Sequence, residues 1–263
     1  MINTAMQKTY RSIFISDIHL GSRGCKANLL CNFLKNNSAE TMYLVGDIVD
    51  GWRLKRSWYW PQEHSNVIRR FLTAAKRGTN IVYIAGNHDE AIRPWLKYIP
   101  EIGNVTFVNR ADYVGIDGRR YLVVHGDMFD TLMYATNGRL IMHIGDWLYD
   151  VIVKLNDWNA VICARLGLRY WSMSKWIKQN TKEAVGYVLN FEGLLAEYCK
   201  VKGYNGIICG HIHTASIRDV DGITYMNDGD WVESCTALVE HHSGEWELIH
   251  WKYQDEKNFN NNR

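Results

Sequence analysis

The stretch Ile81-Val82-Tyr83-Ile84-Ala85-Gly86-Asn87-His88-Asp89 joins an apolar run to a glycine and three side chains that can bind a metal or a proton. A short β-branched run of this kind predicts a buried strand, and the glycine predicts a tight turn at its end. Asn, His and Asp at a strand end often only satisfy the turn. The same pattern, an apolar run followed directly by side chains that can bind a metal, recurs at four other places in the chain. This recurrence favours a chemical role.

The first recurrence follows the apolar run Ser12–Ser16 and contains Asp17 and His19. In an extended segment, alternate side chains point to the same side, so both residues could reach one cation. A capping aspartate and a surface histidine are the alternative. A helix is predicted next from four apolar residues spaced for one buried face: Leu29, Leu30, Phe33 and Leu34.

The second recurrence follows Met42–Val45 and reads Gly46-Asp47-Ile48-Val49-Asp50, in which the glycine allows a turn that places Asp47 at the strand end. Residues 51–61 then mix cations with four large aromatic rings, and include Trp52 and Arg53. A solvated loop and a wall for substrate binding are both open, and the density of rings favours the wall. A helix over Glu63–Lys76 is predicted from four apolar residues expected to face inward: Val67, Ile68, Phe71 and Leu72.

Two further recurrences end later predicted strands. His125-Gly126-Asp127 follows Arg120–Val124, and Gly210-His211-Ile212-His213 follows Gly206–Cys209. Two histidines at positions i and i+2 of a strand edge project to one side, which favours metal binding over a structural role for the pair.

Composition restricts the class of protein. The chain has 263 residues, of which 47% are hydrophobic and 22% charged, as in a globular protein, and a single domain over 1–263 is predicted. A formal charge of +2 argues against a general nucleic-acid-binding surface. Six cysteines without a Cys-x-x-Cys pair predict reduced core thiols. Without a signal peptide or an apolar run of about 18 residues, a cytoplasmic protein is expected, either soluble or peripheral.

The segment 129–202 has helical periodicity, which predicts a helical insertion within the domain. Five cations and no acid lie near its middle: Arg165, Arg169, Lys175, Lys178 and Lys182. One interpretation is a subdomain with a solvated basic face. The other is a cap that holds the hydrophobic part of a substrate or touches a membrane, with its cations on phosphate or anionic headgroups. The polar segment 252–263 is predicted as a disordered tail.

The strand ends together supply seven nitrogen and oxygen ligands: Asp17, His19, Asp47, Asn87, His125, His211 and His213. Seven ligands are more than one ion needs, but they suit two ions bridged by a carboxylate, as in two-metal hydrolytic sites. Imidazole and carboxylate donors without thiolate favour Mn, Fe or Zn. His88 is not needed as a ligand, and histidine titrates near neutral pH, which suits proton donation to a leaving group or binding of a phosphate oxygen.

The five motifs, in this order, resemble those of the calcineurin-like metallophosphoesterases, and the resemblance extends from Ile13 to about Trp251. It implies an α/β fold with a two-sheet β-sandwich flanked by helices, and phosphoester hydrolysis by a metal-bridging hydroxide. One ion would then be held by Asp17, His19, Asp47 and His213, and the other by Asp47, Asn87, His125 and His211. The resemblance also implies that Asp89 holds His88. The predicted catalytic residues are His88, Asp89 and Asp50. The predicted substrate-binding residues are Asn87, Arg53, Trp52, Arg169, Lys175, Lys178 and Lys182.

The insertion after Asp127 and the start Ser16–Gly21 resemble the branch that hydrolyses UDP-2,3-diacylglucosamine. That resemblance implies a manganese enzyme at the inner membrane that cleaves the pyrophosphate of an acylated sugar nucleotide. This chain has His88 where those enzymes usually carry Arg, and its segment Gly229-Asp230-Trp231 matches only in part. The alternative is a phosphodiesterase or nuclease for soluble phosphodiesters, with bases stacked on the tryptophans near Arg53. The sequence makes no prediction of oligomeric state.

Overall fold

A computed structural model of the chain describes residues 7–130 and 182–252. Most of the predicted insertion, with Arg169, Lys175 and Lys178, and the tail after residue 252 lie outside the described residues, and these predictions stay predictions. Lys182 begins the last helix, but its side chain is also outside the description. Among the described helices, none is both long enough and apolar enough to cross a membrane.

Twelve strands are present in the described part of the chain. In chain order they are β1 (Lys8–Ile15), β2 (Asn37–Val45), β3 (Asn80–Ile84), β4 (Glu101–Ile102), β5 (Val105–Val108), β6 (Ala111–Val114), β7 (Arg120–Val123), β8 (Gly206–Cys209), β9 (Ser216–Val220), β10 (Ile223–Asn227), β11 (Thr236–Glu240) and β12 (Trp246–His250). They form a seven-stranded sheet in the order β12-β11-β1-β2-β3-β5-β4 and a five-stranded sheet in the order β6-β7-β8-β10-β9. Strands β1, β2, β3 and β5 run parallel to one another, and so do β7, β8 and β10.

Four α-helices are described: α1 (Ala27–Asn36), α2 (Gly51–Arg56), α3 (Gln62–Lys76) and α4 (Lys182–Lys202). A 3-10 helix covers Glu90–Trp95. In α1, Leu30 and Phe33 are buried as predicted. The prediction that Leu72 faces inward is wrong, because it is 57% exposed. The buried stripe of α3 runs through His64, Val67, Phe71 and Ala75, and Leu72 lies one position beyond it.

The first sheet has a hydrophobic layer on each face. Ile13 and Ile15 of β1 pack in the cluster that contains the buried residues of α1 and α3. Phe14, which points the other way, packs in a second cluster with Tyr121 and Ile208 of the five-stranded sheet. Because successive side chains of a strand alternate between faces, β1 contributes to both layers. The predicted two-sheet α/β sandwich flanked by helices is confirmed.

The chain divides into two compact units, one formed by residues 1–127 and 195–263 and the other by residues 128–194. Both sheets and the helices α1 to α3 belong to the first unit. The described cysteines (Cys25, Cys31, Cys199, Cys209 and Cys235) are all free thiols.

Candidate active site

The predicted ligands lie in the loops that follow β1, β2, β3, β7 and β8. Within each sheet these strands are parallel, so their carboxyl ends meet at one edge, which is where ligands bind in open α/β sheets. Backbone hydrogen bonds join the first two loops, from Asp17 N to Gly46 O at 3.1 Å and from His19 N to Asp47 O at 2.9 Å. The predicted ligands therefore lie near one another because each of them directly follows a strand whose carboxyl end is at this edge.

One group of ligand atoms surrounds Asp17. Its Oδ1 is 3.0 Å from Nε2 of His213 and 3.8 Å from Nε2 of His19. The carboxylate is fully buried, and Oδ1 has no hydrogen-bond partner among the described residues. Asp17, His19 and His213 each offer one ligand atom within 4.8 Å of the others. A buried carboxylate oxygen facing two imidazole nitrogens fits a cation between them.

A second group surrounds His125. Its Nδ1 is 2.9 Å from the carbonyl oxygen of Val45, which can only accept, so Nδ1 carries the hydrogen. When the ring is neutral, Nε2 presents a lone pair, and it lies 3.4 Å from Oδ2 of Asp47 and 3.2 Å from Oδ1 of Asn87. The ring of His211 is 5.1 Å from that of His125. With the ring neutral, these converging electron-pair donors also fit a cation, and the carbonyl contact of Nδ1 orients the ring for ligation.

Asp47 is shared by the two groups. Its Oδ2 lies 3.9 Å from Nε2 of His19 on one side and 3.4 Å from Nε2 of His125 on the other. Asp17, Asp47 and His125 also have ligand atoms within 4.8 Å of one another. This position is the one that the predicted bridging role requires.

The buried carboxylates make the cluster attractive to cations. Burial opposes ionisation of Asp47, but the charges of His125 and His19 and a hydrogen bond from His125 outweigh it, and the pKa of this carboxyl is well below its usual range. Burial also disfavours the charged form of His19. Hydrogen bonds to Asp17 and Asp50 nevertheless raise the pKa of His19 from 6.5 to about 10. Without a metal, His19 and His125, whose pKa is also raised, thus hold protons, and a divalent ion would compete with these protons.

The partner of His88 differs from the expected one. Nδ1 of His88 is 3.0 Å from Oδ1 of Asp50. The carboxylate of Asp89 instead accepts hydrogen bonds from Gly86 N at 2.6 Å, Ile48 N at 2.9 Å and the Tyr83 hydroxyl at 2.6 Å. The expectation that Asp89 holds His88 is therefore wrong, because both of its oxygens are engaged in joining the β2 and β3 loops.

Asp50 has several partners besides His88. It caps α2 by accepting a hydrogen bond from Arg53 N at 2.9 Å, and its Oδ2 is 3.4 Å from Nδ1 of His19 and 3.3 Å from Nε of Arg53. The ring of Trp52 lies 4.3 Å from that of His88. The predicted substrate-binding residues Trp52 and Arg53 are thus brought beside His88.

The backbone of the ligand loops also differs from the expected one. The side chains of Asp17 and His19, and of His211 and His213, were expected to share a side because the segment is extended. All four residues are left-handed, with φ values of 50°, 53°, 68° and 51°, and Asp47 has φ 54°. Left-handed non-glycine residues are uncommon and strained, and they concentrate at functional sites. The prediction of extended segments is wrong, although the residues do reach one cluster.

Three residues of the segment 227–231, which were not among the predicted site residues, hold the ligand loops through hydrogen bonds. Trp231 N donates to the carbonyl oxygen of Asp17 at 3.0 Å, and Asn227 Nδ2 donates to that of Gly210 at 2.7 Å. Asp228 contacts the hydroxyl of Ser16. The available signal was the segment Asn227-Asp228-Gly229-Asp230, which repeats the pattern of polar residues and glycine directly after a strand.

This chain is similar in sequence to several known proteins, of which three are described here. The "UDP-2,3-diacylglucosamine hydrolase" of Wigglesworthia glossinidia brevipalpis is 24% identical over 234 residues, which cover 86% of this chain and 89% of that protein. The protein of the same name from Neisseria meningitidis serogroup C is 26% identical over 231 residues, covering 86% and 92%. The "DNA polymerase II small subunit" of Methanothermobacter thermautotrophicus is 30% identical over 158 residues, covering 48% of this chain and 32% of that subunit.

A family model described as calcineurin-like phosphoesterase matches residues 10–215. The matched range contains all five ligand loops, from Asp17 to His213. The two relatives that are named as hydrolases match this chain over most of their length. This chain therefore belongs to the calcineurin-like phosphoesterase family, and it is a metal-dependent hydrolase.

Proposed function

We propose that this chain is a two-metal hydrolase that cleaves the pyrophosphate of UDP-2,3-diacylglucosamine or of a similar amphiphilic nucleotide. The observation that carries the proposal is the position of Asp47 between two groups of ligand atoms, with His88 next to them. The names of relatives that cover 86% of the chain support the substrate class.

The donor set of the site fits two divalent ions. Asp17, His19, Asp47 and His213 would hold one, and Asp47, Asn87, His125 and His211 the other. Oxygen and imidazole donors suit Mn²⁺, with Fe or Zn as alternatives. Such ions, when bound, polarise phosphoryl oxygens and lower the pKa of bound water.

His88 is proposed as the proton donor to the leaving oxygen. Since Asp50 accepts from Nδ1 at 3.0 Å, the ring is fixed with Nε2 directed toward Asp47, 3.9 Å from its Oδ2. Nε2 is therefore the atom that would deliver the proton. A positioned acid of this kind typically contributes about 10²- to 10⁴-fold in rate.

Trp52 and Arg53 are proposed to bind the nucleotide part of the substrate. The Trp52 ring packs on His88, and the Arg53 side chain is 40% exposed while its Nε contacts Asp50. An aromatic face beside a guanidinium suits a base and a phosphate. The cations Arg169, Lys175, Lys178 and Lys182 of the predicted cap are proposed to contact the pyrophosphate or anionic headgroups, which would keep the protein at the membrane surface.

Release of UMP tests the substrate. Purified Mn-loaded protein is incubated with UDP-2,3-diacylglucosamine in detergent, with bis(p-nitrophenyl) phosphate as the generic phosphodiester. We expect UMP from the wild type and none from Asp47→Ala. Turnover of the generic diester without UMP would contradict the lipid substrate.

A phosphodiesterase for soluble substrates is the second candidate. It is favoured by His88, which stands where the lipid enzymes usually carry Arg, and by the exposed ring of Trp58, which is 77% exposed. This candidate predicts cleavage of short oligonucleotides without detergent and without loss of rate when the unit 128–194 is replaced by a short linker.

A further inference from the structure

The hydroxyl of Ser16 lies between two carboxyl groups. Its Oγ is 2.5 Å from Oδ2 of Asp17 and 2.5 Å from Oδ1 of Asp228, and 3.2 Å from the carbonyl oxygen of Gly229. Ser16, Asp17 and Asp228 are all at most 1% exposed. Oxygen–oxygen distances this short require a hydrogen between the atoms.

If both carboxyl groups were ionised, only one hydrogen would be present for the two short contacts of Ser16 Oγ. A serine hydroxyl has one hydrogen, so it can satisfy one of the two carboxyl oxygens and not both. The second short contact needs a hydrogen on a carboxyl group. Asp17 is the poorer place for it, because its Oδ2 already accepts from His211 N at 2.8 Å and its Oδ1 faces Nε2 of His213 at 3.0 Å.

Asp228 has the surroundings of a neutral acid. Its Oδ2 has no hydrogen-bond partner in the described part of the chain. Asp228 is fully buried, and burial disfavours the ionised form of a carboxyl group.

We infer that Asp228 is a neutral carboxylic acid at neutral pH and donates its hydrogen to Ser16 Oγ, while Ser16 donates to Oδ2 of Asp17. Asp228 is then a positioning residue, which acts on the proposed metal ligand Asp17 through Ser16. The chain of hydrogen bonds fixes Oδ2 of Asp17 and leaves Oδ1 for an ion. Since Asp17 must be a carboxylate to bind an ion, the second hydrogen stays on Asp228 in the loaded protein. The positioning role rests on the proposed function, whereas the position of the hydrogen does not.

Infrared difference spectroscopy of the full-length, Mn-loaded protein at neutral pH tests the inference. A protonated carboxyl group has a carbonyl band that carboxylates lack. The spectrum of the wild type minus that of Asp228→Asn should contain this band, and the band should shift in D₂O. The matched control is Asp230→Asn, because buried Asp230 lies on the same loop and its Oδ1 accepts from Val232 N at 2.8 Å, a contact that needs no carboxyl hydrogen. Its difference spectrum should not contain the band.

Two further variants test the positioning role. Asp228→Ala removes the donor to Ser16 and should weaken Mn²⁺ binding roughly tenfold, at the low end for partners of ligating groups. Asp228→Asn should restore most of this affinity, because its amide can donate in the same place. In Ser16→Ala the band should remain and move to higher frequency, since the acid has lost its acceptor. Because Asp228 is unchanged in Ser16→Ala, the carbonyl band can still be measured if the Asp228 variants do not fold.

A difference spectrum without a protonated carbonyl band would overturn the inference, and so would a band that keeps its wild-type frequency in Ser16→Ala. Equal Mn²⁺ affinity in Asp228→Ala and the wild type would overturn the positioning role. The expected band in a protein that hydrolyses no phosphoester would support the proton position and contradict the proposed function instead.

Discussion

At the scale of single residues, His88 depends on Asp50 rather than on its neighbour in the chain. Both residues of the pair lie on loops that follow adjacent parallel strands, and the Nδ1–Oδ1 distance is 3.0 Å. Asp89, next to His88, is occupied by two backbone N–H groups and a tyrosine hydroxyl. The two carboxylates therefore have separable effects on turnover and on stability.

His88→Ala should lower kcat by about 10²- to 10⁴-fold, the contribution of a positioned general acid. Metal content, measured by inductively coupled plasma mass spectrometry, should stay near two ions per chain. His242→Ala is the control, because the side chain of His242 is 51% exposed. Loss of metal together with activity would show that His88 is a ligand and not the proton donor.

Asp50→Asn and Asp89→Asn should separate the two carboxylates. Asparagine at 50 still caps α2, but it is a weaker partner for His88, so kcat should fall roughly 10²-fold with little change in stability. Asp89→Asn should instead lower the free energy of unfolding by about 1.5–3 kcal/mol, as hydrogen bonds to a charged group are lost. Urea unfolding and steady-state kinetics measure both. The reverse pattern would restore Asp89 as the partner of His88.

At the scale of elements, the ligand loops are close turns held against one another. Gly46 has φ 84°, and a Cβ there would lie 2.4 Å from the His125 ring. Gly86 has a similar constraint, since its Cβ would lie 2.2 Å from Oδ1 of Asp47. The glycines of these motifs therefore leave room for the neighbouring ligands, in addition to permitting the turn.

Gly46→Ala should lose metal and stability together, whereas Gly118→Ala should lose stability alone. Both glycines have positive φ, at 84° and 79°, but a Cβ on Gly118 would meet nothing within 4 Å. Backbone strain alone costs about 1–3 kcal/mol in each variant. Urea unfolding and metal analysis compare them. Full metal content in Gly46→Ala would mean that the His125 ring can move without affecting the site.

The sequence predicted the strands well, because apolar runs such as Ile81–Ala85 and Gly206–Cys209 have a clear signal. It also identified the residues that the structure brings together, since a polar residue directly after such a run is a local pattern. It failed at the left-handed turns of Asp17 and His213, because backbone handedness is set by contacts between loops. The partner of His88 was missed for the same reason, since Asp50 is far away in the chain.

At the scale of the whole molecule, two sheets carry ligands from distant parts of the chain to one cluster. Asp17 and Asp47 come from the first sheet, while His125 and His213 follow strands of the second. The cluster is buried and rich in carboxylates, so its ions should contribute to the stability of the fold.

Metal removal should therefore destabilise the protein, and more so at higher pH. The folded-state pKa of His19 in the metal-free protein is raised from 6.5 to about 10, so its stabilising contribution is fully present below pH 6.5 and is lost as pH rises through 10. The difference in Tm between loaded and EDTA-treated protein should grow over this window. A difference that shrinks with rising pH would contradict proton–metal competition at the cluster.

The most direct measurement is the metal content of Asp47→Ala beside that of the wild type, with phosphoester turnover followed on the same samples. Asp47 is the residue shared by the two groups of ligand atoms. We predict two ions per chain and turnover in the Mn-loaded wild type, and loss of both ions and of turnover in Asp47→Ala. An Asp47→Ala protein that keeps wild-type turnover would contradict the two-metal site.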